Sequence, residues 1–153
     1  MPASDTPSDL HAHLGYWLRV VSNAVSHGFA RKVEGEGVTV AEWVFLRALY
    51  DQPGIAPSHL ALRMGMTKGA ISKLADRLVE KDLVARQAAP DGGRGQALAL
   101  KPAARSLVPR LAALADANDA AFFGALPPDD RQTLERILRK IVLDHGLTDQ
   151  PTD

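Results

Sequence analysis

The sequence predicts a mainly α protein with one small β-hairpin, in the order α-α-α-α-β-β-α-α. Three observations carry this. Apolar residues recur at three-or-four spacing through most of the chain, the period of a helix with one covered face. One short alternating run, a Gly-dense cluster and a second alternating run follow one another at residues 83–100, the pattern of a hairpin. Gly, Pro and Thr sit at the points where the helical period is interrupted. The chain has 153 residues, 46% of them apolar and 24% charged, which suits a single globular domain and excludes a largely disordered chain.

The first helix is expected from about Ser8 to Lys32, with Leu10, Leu14, Leu18, Val21, Val25 and Phe29 on one face and Asp9 in its first turn. Residues 1–8 read as a frayed tail. Gly35 and Gly37 stop the helix. Thr39 is the natural N-cap of the second, and Glu42 three residues on completes a capping box. That helix runs to about Tyr50, with Trp43, Leu46 and Leu49 inward. Pro57 opens a short third helix carrying Leu60, Ala61 and Met64, which Gly65 breaks. Thr67 caps a fourth, Lys68 to about Lys81, with Ile71, Leu74 and Leu78 as its stripe. Two short helices joined by Gly65-Met66-Thr67 make a helix-turn-helix. Residues Leu83–Ala88 and Gln96–Leu100 then read as strands around the turn Pro90–Gly95, forming a wing. Pro102 opens a helix with Leu107, Leu111, Leu114, Asn118 and Phe122 on one face, in which Pro109 is expected to introduce a kink near Arg105–Ser106 unless the helix starts later. The last helix is expected from about Pro128 to His145, followed by a disordered TDQPTD tail.

Charge separates candidate functions. The 18 basic and 18 acidic side chains cancel overall. Residues 1–53 carry 4 Lys/Arg against 6 Asp/Glu, residues 54–101 carry 8 against 4, and residues 102–153 carry 6 against 8. A basic centre between two mildly acidic flanks points to a polyanion at the central module. The chain has no cysteine, which removes disulfides, thiolate metal sites and thiol catalysis. No apolar run approaches the roughly 20 residues of a membrane helix, and the first residues lack the charged and apolar parts of a secretory signal, so the cytoplasm is the expected compartment. His11 and His13 point to different faces of a helix and make a poor chelate. The Gly92-Gly93-x-Gly95 run lacks the lysine and helix of a phosphate loop. No nucleophile elbow or acid–base pair is evident, so no enzyme, metal or cofactor is expected.

A helix-turn-helix lays its second helix in the major groove, where residues near that helix's N-terminus reach base edges. Thr67, Lys68, Gly69, Ser72 and Lys73 occupy those places, with Arg77 one turn beyond Lys73 towards phosphate. Arg94 at the wing tip suits a minor groove, and Arg86 on the first wing strand suits the backbone. Leu60-Ala61, the hydroxyl of Thr67, Asp76-Arg77-Leu78, Leu83-Val84 and the Asp/Arg wing together resemble the winged helix-turn-helix of the MarR family of bacterial transcriptional regulators. With the order of flanking helices, the resemblance covers about Leu10 to Leu143. The wing reads Asp91-Gly92-Gly93-Arg94-Gly95, one residue wider and poorer in charge than the usual family pattern.

The resemblance implies a single domain over residues 1–153, with a DNA-binding part at 38–101 and a helical dimerisation part at 9–34 and 102–146. It implies a homodimer on a pseudo-palindromic operator, acting as a repressor and released by a small effector, often an aromatic acid. The long terminal helices carry more apolar surface than one small winged helix covers, in keeping with a partner. Tyr16, Trp17, Trp43 and Arg47 are candidate effector contacts, expected where the first two helices meet. For these four, core packing of the tryptophans and a surface or structural ion pair for Arg47 is the favoured reading. The alternative function is a winged-helix module for protein–protein contact that binds no specific DNA.

Overall fold

The computed structural model describes residues 6–89 and 95–147. Six α-helices and one hairpin appear in the expected order: α1 Leu14–Glu34, α2 Val40–Tyr50, α3 Pro57–Met64, α4 Lys68–Glu80, β1 Val84–Ala88, β2 Gln96–Leu100, α5 Pro102–Phe123 and α6 Pro128–Asp144. The expected tails at 1–5 and 148–153 and the wing tip at 90–94 lie outside the described residues.

The start of the first helix differs from expectation. Asp9 caps one 3₁₀ turn, Leu10–Ala12, by accepting from the His11 N–H, and His13 is extended before α1 begins. The Trp17 indole N–H donates to the His11 carbonyl at 2.8 Å and holds this turn against α1. The Asp9 side chain thus competes with the helix for the local N–H groups. At the other end, α6 stops at Asp144, with His145 as its C-cap.

Local chemistry explains the remaining boundaries. Thr39 accepts from the Glu42 N–H while the Glu42 carboxylate accepts from the Thr39 N–H, so α2 begins with a complete capping box. Gly65 ends α3 at φ +64, a conformation that costs glycine little. α5 passes through Pro109 as one helix. Leu107, Val108 and Leu111 are buried around that point, and packing on both sides of the proline holds the helical path. Pro109 and Arg105, whose carbonyl loses its donor, are both exposed.

The hairpin is antiparallel, with Val84 opposite Leu100 and Ala88 opposite Gln96. Ile55, just before α3, adds a bridge to Leu98 through two backbone hydrogen bonds of 3.0 and 2.8 Å. The core gathers Val33, Phe45, Leu46, Leu49, Leu60, Met64, Ile71, Leu78, Leu98 and Leu111, so α2, α3, α4, the hairpin and the first half of α5 share one interior. α1 meets α5 at Gly28, where a Cβ would stand 3.0 Å from Asn118 Oδ1 and 3.1 Å from Phe122 Cε2. Buried Asn118 donates to the Val25 carbonyl and accepts from Lys32, which fixes how the two helices register.

Candidate nucleic-acid interface

α4 buries Ile71, Leu74, Ala75 and Leu78, and this stripe sets which side chains point away from the protein. Thr67 takes the N-cap, its hydroxyl accepting from the Ala70 N–H at 3.1 Å. Lys68, Gly69, Ser72 and Lys73 are exposed on the following turns. Neither lysine pairs with any described residue. A Cβ at Gly69 would meet only Thr67 Oγ1, at 4.0 Å, so internal packing does not demand glycine there. The first two turns of α4 therefore present a smooth surface with two unpaired cations beside the helix N-terminus, an arrangement suited to phosphate and base edges.

The arginines are placed differently. Arg77 lies 3.5 Å from the Glu42 carboxylate of α2, with half its side chain exposed. Arg86 donates to Asp76 at 2.6 Å, tying the wing strand to the outer face of α4. Both guanidinium groups thus have acidic partners inside the protein. Arg94 lies outside the described residues.

Glu42 is the residue that sequence reasoning left as a cap alone. It is 0% exposed. Its Oε1 accepts from the Thr39 N–H at 2.8 Å and from Lys81 at 2.9 Å, with Arg77 at 3.5 Å, while Oε2 has no hydrogen-bond partner among the described residues. Burial pushes the carboxyl upward, but hydrogen bonds from Lys81 and Thr39 and the Lys81 charge prevail and hold it below its ordinary value. Lys81 also donates to the Gly37 carbonyl. One carboxylate at the start of α2 thereby anchors the end of α4. A signal was present: Glu42 stands four residues before Leu46 and seven before Leu49, on the apolar stripe.

The four candidate effector contacts are not brought together within the chain. Tyr16 and Trp17 cluster with His11, at ring separations of 5.0 and 5.5 Å. Trp43 packs edge-on against Phe29, centroids 6.4 Å apart. Phe29 lies twelve residues beyond Trp17 on α1, about 18 Å at the helical rise. Arg47 pairs with Asp51 at 2.8 Å and lies over the Tyr50 ring. Trp43 thus meets α1 at Phe29, in its C-terminal half, while Tyr16 and Trp17 lie in its first turn. Among the described residues no cluster of three His, Cys, Asp or Glu has a metal-binding arrangement, and no helix is long and apolar enough to cross a membrane.

The chain is similar to transcriptional regulators. A profile of the MarR family matches residues 36–95, from the loop before α2 to the wing. The protein named "Putative transcriptional regulatory protein for hcr operon" of Thauera aromatica is 30% identical over 129 residues, covering 84% of this chain and 78% of that protein. The HTH-type transcriptional repressor Rv2887 of Mycobacterium tuberculosis is 29% identical over 130 residues, covering 85% and 94%. Its structure in complex with p-aminosalicylic acid aligns with a TM-score of 0.65 at 28% identity, over 84% of this chain and 98% of that chain. The crystal structure of a "probable transcriptional regulator" from Pseudomonas aeruginosa aligns with a TM-score of 0.75 at 26% identity, over 87% of this chain and 99% of that chain. The likeness extends well beyond the helix-turn-helix into the flanking helices, and with it the chain belongs to the MarR family of winged-helix transcriptional regulators.

Proposed function

We propose that this regulator is a homodimeric repressor that binds a pseudo-palindromic operator and is released by a small aromatic acid. The single observation that carries the DNA reading is the outer face of α4, where Lys68 and Lys73 lack acidic partners among the described residues while Arg77 and Arg86 each have one. Thr67, Lys68, Gly69, Ser72 and Lys73 read the major groove. Arg94 reaches the minor groove. Arg86 supports the interface by neutralising Asp76, and Arg77 is available to phosphate from the edge of the helix.

Dimerisation belongs to residues 9–34 and 102–146, and DNA binding to 38–101. α6 buries none of its side chains within the chain, and Ile137, Leu138, Ile141 and Leu143 are exposed on it. Leu10, Leu14, Trp17 and Leu18 are exposed as well, on and just before α1. A second copy covering these stripes places two α4 helices about one turn of duplex apart. The site of action is the cytoplasm, where the operator is.

The effector reading draws on Rv2887 with p-aminosalicylic acid and on Trp43, which offers a part-buried ring at the α1–α2 junction beside Phe29. An acid that binds the DNA-incompetent spacing of the two winged helices more tightly shifts the population away from DNA.

The test is enrichment of a random duplex library on the purified protein, followed by fluorescence anisotropy of the winning duplex across a salt series. A specific duplex whose affinity falls steeply with salt is expected. Lys73→Ala and Arg94→Ala should weaken it without changing the sedimentation coefficient. Failure to enrich any sequence would turn the assignment to the protein–protein module. Trp43→Ala should abolish release by p-aminosalicylate, and a full response in that variant would remove Trp43 from the effector site.

A further inference from the structure

Glu42 holds two cations on one oxygen, Arg77 of α4 and Lys81 at its C-cap, and the two are not equivalent. Lys81 sits at 2.9 Å and is also fixed by the Gly37 carbonyl. Arg77 stands at 3.5 Å with half its side chain in solvent, and it has no other partner among the described residues. One carboxylate charge needs one cation. Lys81 supplies it, so Arg77 is the surplus charge of a trio that is net positive. Arg77 also lies one helical turn beyond Lys73, at the border between the face turned to α2 and the face turned outward.

We infer that Glu42 is a specificity-setting positioning residue, which retains Arg77 in the free protein and yields it to a duplex phosphate only when α4 is fully seated. This rests on the DNA-binding reading above. Departure of Arg77 leaves Glu42 neutralised by Lys81, so the buried carboxylate is not stranded. A loosely bound duplex, whose phosphates are out of register, must compete with the Glu42 charge for the guanidinium. A seated duplex offers a bidentate acceptor in its place. The ion pair therefore weakens random binding more than specific binding.

The experiment compares the enriched duplex with a random-sequence duplex of equal length, using wild type, Glu42→Gln, Arg77→Ala and the double variant. Glutamine keeps the volume and an acceptor for the Thr39 N–H while removing the charge. On random duplex, Glu42→Gln should steepen the slope of log affinity against log salt by about 0.9, one added phosphate contact. The ratio of specific to random affinity should fall about tenfold, the worth of one charge-assisted hydrogen bond. Adding Arg77→Ala should restore the wild-type random slope. A merely structural role for Glu42 weakens both duplexes alike and leaves the slope unmoved, and that result overturns the inference. Thermal melting establishes that each variant is folded at the assay temperature. Should Glu42→Gln not fold, Arg77→Ala decides alone: a specific-duplex slope shallower by about 0.9 with an unchanged random slope supports the inference, and equal changes on both duplexes refute it. Absence of binding by wild type to any duplex would instead defeat the DNA-binding reading itself.

Discussion

α4 and α6 are both amphipathic helices of ordinary length, yet their apolar stripes have opposite fates. α4 buries Ile71, Leu74, Ala75 and Leu78 against α2, α3 and the hairpin. α6 has no fully buried residue: Ile137, Leu138 and Ile141 are exposed and Leu134 is half-buried, although the four are spaced just as regularly. Periodicity identifies which face will be covered and is silent on what covers it. The winged-helix middle finds its cover within the chain. The terminal helices leave theirs exposed in the isolated protomer, and it is on this uncovered surface that the proposed dimer rests.

The largest effect should come from charging the uncovered stripe. Ile137→Asp with Ile141→Asp is expected to convert the dimer to monomer in sedimentation and to lower duplex affinity by about 10²–10⁴-fold, because two linked readers become one. A double variant that still sediments as a dimer would place the interface elsewhere. Next, Phe45→Ala in the shared interior should cost about 3–5 kcal/mol in urea unfolding, whereas Leu143→Ala, at a site 80% exposed, should stay within about 0.5 kcal/mol in a protomer kept monomeric by the aspartates. Similar costs at the two sites would erase the contrast between middle and ends. Gly28→Ala tests the seam between them. Its new methyl presses on Asn118 and Phe122, and a loss of about 1–3 kcal/mol is expected from overpacking. The smallest effect is the acid response of Glu42. Its carboxyl is held below the ordinary value, so its contribution is complete above about pH 4.3, the usual glutamate pKa, and disappears as pH falls through the lower folded value. Urea midpoints measured down this range should fall less steeply for Glu42→Gln than for wild type.

Much of the winged-helix part was legible because its signals are local. The Thr39–Glu42 box, Pro57, Gly65 and Thr67 each act within four residues, and the boundaries of α2, α3 and the start of α4 follow from them. Other features depend on partners far along the chain. Lys81 reaches Glu42 across 39 residues, and Arg86 finds Asp76 only because the hairpin folds back on α4. The same limit hid how far Tyr16 and Trp17 stand along α1 from Trp43. Rarity of side chains marked them, but the position along α1 at which α2 crosses is set by the packing of Phe29 and Val33, not by any motif. The break at His13 was hidden for a different reason: the apolar spacing from Leu10 continues unbroken through it, and only the Asp9 cap reveals the discontinuity.

The short bridge between Ile55 and Leu98 carries a mechanical meaning. It sews the segment leading into α3 to the inner strand of the wing, so the helix-turn-helix and the wing are joined by backbone hydrogen bonds as well as by side-chain packing. Each reading head is then a stiff tool on its mount. On the proposed dimeric, operator-binding reading, a signal that loosens the grip on DNA would act on the gap or tilt between two such heads rather than on the contour of either.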